Sequence, residues 1–206
     1  IPTALPENGL EGTAELRWGS AANERAGVVG LTAGKGPLAL RVEGASRRAG
    51  DYRVGSGWAG GRKVDGSFNE TDTGSIGLSW IGSAGYLGLA YTRQQAQYGL
   101  PGHTHGFEDC HTHGLGANMH LHCGGHGHAD HDDHDHDDHD HDHDHSVPVV
   151  DMTSHRWDVR GQWNAPLQGI EAVRLRASHT RYGHDEIEGD AVATRFRNRA
   201  HDVRVE

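Results

Sequence analysis

Ser75-Ile-Gly-Leu-Ser-Trp-Ile-Gly-Ser-Ala-Gly-Tyr-Leu-Gly-Leu-Ala-Tyr-Thr92 is the stretch that decides the fold. Ile76, Leu78 and Trp80 alternate with Ser75, Gly77 and Ser79. Beyond Gly82–Gly85, Leu87, Leu89 and Tyr91 alternate with Gly88, Ala90 and Thr92. A period of two marks a β-strand with one apolar and one polar face, and a tight glycine turn between two such runs marks an antiparallel pair.

The same period recurs on both sides. Leu10, Gly12, Ala14, Leu16 and Trp18 alternate with Glu11, Thr13, Glu15 and Arg17. Leu38, Leu40 and Val42 open another run, and a weaker strand covers about Ala26–Ala33. Trp157, Val159, Gly161 and Trp163 alternate with Arg156, Asp158, Arg160 and Gln162. Val173, Leu175 and Ala177, then Val203 and Val205, complete eight expected strands. No convincing amphipathic helix appears.

The connections favour one all-β architecture over another. Gly34–Gly36, Gly82–Gly85 and Asn164–Gly169 are tight, as is Gly19–Glu24 at the opposite end. The other connections, about 49–72, 98–152 and 183–197, are long. Short turns at one end and long loops at the other describe a transmembrane antiparallel β-barrel. A soluble sandwich also alternates. However, a 50-residue structureless loop is unusual in a compact soluble domain, and the Arg, Glu and Asp on the polar face suit a wet lumen. Trp18, Trp80, Trp157 and Trp163 fall on the apolar face. Three of them (Trp18, Trp80 and Trp163) lie near strand ends, where aromatic girdles form.

The longest connection carries the chemistry. Fifteen of the 19 histidines lie between His103 and His145. They begin as His-X-His pairs: His103/His105, His111/His113, His120/His122 and His126/His128. An Asp/His tract follows, with His131, His134, His136, His139, His141, His143 and His145. The window 101–146 adds ten Asp and Glu108 with no Lys or Arg, so its −11 accounts for the chain's net −10. Imidazole and carboxylate together are ligands for borderline divalent metals, zinc first. In an extended chain, residues i and i+2 share a side, so one His-X-His pair can offer two imidazoles to one ion.

Two cysteines, Cys110 and Cys123, bracket His111, His113, His120 and His122, which form the best-defined expected site. His103, His105, Glu108 and Asp109 rank next. In a cytosolic protein the cysteines read as metal thiolates or free thiols, and in an exported protein as a disulfide. The Asp/His tract lacks apolar anchors and reads as a disordered sponge of weak, exchanging sites. His184-Asp185-Glu186 is a possible second site, though three adjacent ligand types are a weak signal. His155, His179 and His201 lie within strands and read as structural, lumen or interface residues.

Composition excludes several classes. An acidic chain is a poor nucleic-acid partner, because phosphate binding needs a basic surface. No apolar run reaches the length of a membrane-spanning helix. A catalytic zinc uses a few fixed ligands and one open position, not fifteen interspersed histidines, so no enzyme is expected. The chain starts at Ile1 without Met or signal peptide and stops inside the alternating Val203-Arg-Val-Glu206, as an excised piece of a longer protein would.

Gln97-Tyr-Gly-Leu-Pro-Gly-His-Thr-His105 and Glu108-Asp-Cys-His111 resemble the TonB-dependent outer-membrane zinc receptors of the ZnuD type. Ile1-Pro, Pro6-Glu-Asn-Gly9, Gly50-Asp-Tyr52, Thr73–Trp80, His184–Glu186 and Gly189-Asp-Ala-Val192 fit in the same order. The resemblance implies a 22-stranded barrel filled by an N-terminal plug, with import powered by a TonB contact. This chain would supply about the first eight strands after the plug. Residues 98–152 would be the histidine-rich third extracellular loop, which captures Zn²⁺. Other divalent metals remain possible ligands. The implied partners are zinc, outer-membrane lipid and, through the missing plug, the TonB complex. Export would also favour the disulfide reading of Cys110 and Cys123. The rival is a soluble or periplasmic zinc buffer or metallochaperone with the same His/Asp segment on a small closed β domain.

Overall fold

The computed structural model describes residues 1–56, 61–101, 110–113, 120–123 and 147–206. Ten strands follow in chain order: β1 Leu10–Gly19, β2 Glu24–Lys35, β3 Leu38–Ala49, β4 Asn69–Gly82, β5 Gly85–Gly99, β6 Cys110–His113, β7 His120–Cys123, β8 Val149–Leu167, β9 Ile170–Glu188 and β10 Ala191–Val205. Eight of them form one antiparallel sheet in the order β1-β2-β3-β4-β5-β8-β9-β10, and β6 and β7 pair separately. There is no helix among the described residues. The sheet is open, with β1 and β10 at its edges. The chain divides into Ile1–Pro101 with Val147–Glu206, and Gly102–Ser146. The second unit falls within the long connection expected at 98–152.

Register turns the sequence alternation into a single apolar face. One row of partners runs Leu10, Ala33, Leu40, Leu78, Leu89, Val159, Ala177 and Val203 across all eight strands. Among the described residues little covers this face. Leu10, Leu78, Leu89 and Val203 are exposed, and Trp18 is 72% exposed. The buried apolar residues are few: Ala39, Ala49, Ala96 and Val150 among the described residues. A soluble sandwich would cover such a face with a second layer.

The band of apolar side chains slants across the hydrogen-bonded rows. Its border toward the long connections lies at Trp18 on β1, Val29 on β2 and Val42 on β3. It continues at Ile76, Tyr91 and Trp157, and ends at Ala177 and Val203. Val203 belongs to the row of Leu10, so the border has slipped from Trp18 by roughly eight residues over seven strand steps. The opposite border slips in the same sense, from Leu10 to Trp80 and then Trp163.

One connection differs from expectation. The region 183–197 is not a long loop: β9 and β10 pair as far as Glu188 and Ala191 and turn at Gly189-Asp190. Gly189 takes the left-handed φ of +57° that such a turn needs. The polar His184-Asp-Glu run looked like a loop by composition, yet ladder pairing holds it extended. The connection between β3 and β4 is long, as expected, and its described residues are tied down by hydrogen bonds. Arg53 and Lys63 bridge, Tyr52 N–H donates to Ser67 Oγ at 3.0 Å, and Arg53 N–H donates to the Ala21 carbonyl at 2.8 Å.

The polar face of β2–β5 carries a track of small residues. Gly34, Ala39, Ser79 and Gly88 share one row, with Ser79 only 1% exposed. The N-terminal arm lies along it. A Cβ placed on Gly88 would meet Ile1 Cγ2 at 2.4 Å, and one on Gly34 would meet Pro6 Cδ at 2.7 Å.

Candidate metal centre

The β6–β7 ribbon gives the first expected site a backbone. Cys110 partners Cys123, His111 partners His122, Thr112 partners Leu121 and His113 partners His120. The register thus sets the four histidine positions opposite one another in two pairs. Directly opposed positions of an antiparallel pair have Cβ atoms about 4.5–5.5 Å apart. Two imidazoles brought together by such a pairing are part of the ligand set that a tetrahedral zinc ion takes. His103, His105, Glu108, Asp109, His126, His128, His131, His134, His136, His139, His141, His143 and His145 lie outside the described residues.

His184, Asp185 and Glu186 do not converge. Strand alternation puts His184 and Glu186 on the polar face of β9 and Asp185 on the other. The His184 ring stacks on Phe196, centroids 5.3 Å apart, and Nδ1 shares a 3.0 Å hydrogen bond with the Tyr182 hydroxyl. Its Nε2 lies 3.8 Å from Glu186 Oε1. Asp185 is held by two guanidiniums, Arg197 Nη1 at 2.7 Å and Arg195 Nε at 3.3 Å. Among the described residues no three His, Cys, Asp or Glu side chains gather as a metal site. Tyr182 and Phe196 are the partners that sequence reading missed. Tyr182-X-His184-X-Glu186 does show the shared face once the segment is read as strand.

His155, His179 and His201 sit on the apolar face, at its polar border. The His155 Nδ1 and Tyr91 hydroxyl are 2.7 Å apart. His179 and His201 are register partners and stack at 4.4 Å. His179 pairs in turn with Trp157 on β8, and Trp157 packs against Tyr91 at 4.8 Å. They are amphipathic rings at the edge of an apolar band.

A scan of the chain against models of protein families finds no match.

Proposed function

We propose that this chain is a sector of an outer-membrane β-barrel receptor that captures Zn²⁺ through its histidine-rich segment for import. The observation that carries the metal reading is the β6–β7 register, which sets His111 opposite His122 and His113 opposite His120. The Asp/His tract beyond it would concentrate cations by its charge and exchange them with the ribbon.

The membrane reading rests on the uncovered, slanting apolar band. In a barrel the strands tilt, so a membrane plane crosses the hydrogen-bonded rows obliquely. A slip of about eight residues at ~3.3 Å each, over seven steps of ~4.8 Å, corresponds to a tilt of about 40°. Transmembrane barrels tilt by ~35–45°. Eight strands ending in open edges would then be completed by further strands. The histidine-rich segment would face outside the cell, and the plug and TonB contact of the ZnuD-type receptors would lie beyond this chain. Zinc here is cargo, and no covalent chemistry is involved.

Detergent dependence combined with zinc calorimetry tests both halves. The full-length protein should need detergent or lipid to stay monodisperse and should bind several zinc ions. A detergent-free monomer that still binds zinc would instead favour the soluble buffer. Failure to bind zinc at neutral pH would remove the capture role.

A further inference from the structure

Above the apolar band, four adjacent strands carry one cationic row. Arg93 on β5 pairs with His155 on β8, His155 with Arg181 on β9, and Arg181 with Arg199 on β10. Directly opposed residues share a face, so all four lie on the apolar face. The rows beneath are sorted by chemistry. The first is Tyr91, Trp157, His179 and His201, and the second is Leu89, Val159, Ala177 and Val203. The third is Leu87, Gly161, Leu175 and Val205. Going down the face, a cationic row gives way to aromatic rings and then to aliphatic side chains.

Among the described residues, Arg93, Arg181 and Arg199 have no carboxylate within ion-pair distance, whereas Arg195 and Arg197 are both engaged by Asp185. Arg181 reaches only the neighbouring imidazole, its Nε donating to His179 Nε2 at 3.3 Å. On the same face, Asp151 and Asp185 lie four residues further along β8 and β9, roughly 13 Å away, and Asp72, diagonal to Arg93 on β4, is held by Arg48 at 2.6 Å. His155 uses Nδ1 with Tyr91, which leaves Nε2 for another partner. All three arginines are exposed.

We infer that this face of β5, β8, β9 and β10 binds an anionic, phosphate-bearing lipid. Its headgroup lies on Arg93, His155, Arg181 and Arg199, and its acyl chains run down the aliphatic rows. A planar guanidinium fork matches phosphate oxygens, and rings with one polar edge belong at the interface just below. A free anion would use the cationic row alone. Only an amphiphile accounts for the row together with the aromatic and aliphatic rows aligned under it. The inference rests on the proposed membrane-embedded barrel.

The test reconstitutes the full-length protein in phosphatidylcholine bilayers doped with phosphatidylglycerol and counts retained lipids by native mass spectrometry. The wild type should retain phosphatidylglycerol in preference to phosphatidylcholine. The triple variant R93Q/R181Q/R199Q should weaken that preference by at least tenfold, given roughly a fivefold effect per basic residue at an anionic surface. The triple Arg→Lys variant should keep most of it. R160Q/R176Q/R204Q, on the polar face, should leave it intact.

An unchanged preference in the first variant, or an equal loss in the polar-face control, overturns the inference. So does complete competition by inorganic phosphate, which would reduce the row to a simple anion site. If the glutamine variant does not fold, the lysine variant and the phosphate competition still decide. Protein that never enters the bilayer fails the barrel reading. Protein that inserts without preferring the anionic lipid fails this inference alone.

Discussion

Cys110 stands directly opposite Cys123 across the antiparallel β6–β7 ribbon. Opposed residues in such a pair have Cα atoms about 4.5 or 5.5 Å apart, depending on the pair type, and both values lie in the range that disulfides span. Twelve residues separate the two cysteines in sequence. In an oxidising compartment we expect them to be bonded, with ~3 kcal/mol of stabilisation from the closed loop in the chain-entropy model. Intact-mass measurement without reductant should find the chain two hydrogens lighter. Two free thiols, or sulfur ligation in the zinc absorption edge, would argue for a mixed Cys/His site.

The ribbon and the Asp/His tract should bind zinc differently. Calorimetry at pH 7.5 should show a tight class and a larger, weaker class. Replacing His111, His113, His120 and His122 together with Asn should remove the tight class and spare the weaker one. Both should fade below pH ~6.5, where free imidazoles gain a proton and lose the ligand lone pair. One stoichiometric site, or affinity unchanged at pH 5.5, would contradict this picture.

Turn glycines offer a contrast that checks the fold. Gly85, at φ +139°, closes the β4–β5 turn, and a Cβ there would lie 1.8 Å from the Gln162 carbonyl oxygen. Gly36, at φ +58°, has nothing within 4 Å of such an atom. Gly85→Ala should therefore cost about 2–4 kcal/mol and Gly36→Ala about 1 kcal/mol, the latter from backbone strain alone. Urea midpoints of the lipid-reconstituted protein would rank the two. Equal costs would mean the β4–β5 turn is packed otherwise.

The sheet was legible because its signal is local. Every apolar run named from period-two alternation, from Leu10–Trp18 to Val203–Val205, lies in a strand of the sheet. The β9–β10 hairpin was misread near its tip, since Tyr182–Arg197 is too polar to look like strand when judged by composition. Ladder hydrogen bonds do not depend on side-chain polarity, so pairing continued where the hydrophobic pattern stopped. The ribbon was half legible. The cysteine bracket suggested a loop around four histidines, but which histidine faces which depends on register, and four-residue strands carry too little periodicity to show it. The cationic row was invisible for a stronger reason. Arg93, His155, Arg181 and Arg199 are far apart in sequence, and only the pairing of four strands aligns them.

Replacing Gly124–Ser146 with a short Gly/Ser linker should slow growth only when zinc is scarce. This removes His126 to His145 and the dense run of aspartates but leaves the β6–β7 ribbon in place. It also keeps Pro148, whose carbonyl accepts a 2.9 Å hydrogen bond from Leu100 N–H, and Val147, which packs on Gly66. The sheet should therefore survive. Mass action governs the growth phenotype. Many weak, exchanging sites raise the local zinc concentration at the mouth of the receptor, and an acidic field draws in cations. At plentiful zinc the ribbon fills without that help, so the variant and wild type should grow alike. Across a chelator series the variant should fall behind first, with surface display checked by antibody. Equal growth at every zinc level, with normal display, would reject a capture role for the tract. Loss of display would show that the tract supports the fold.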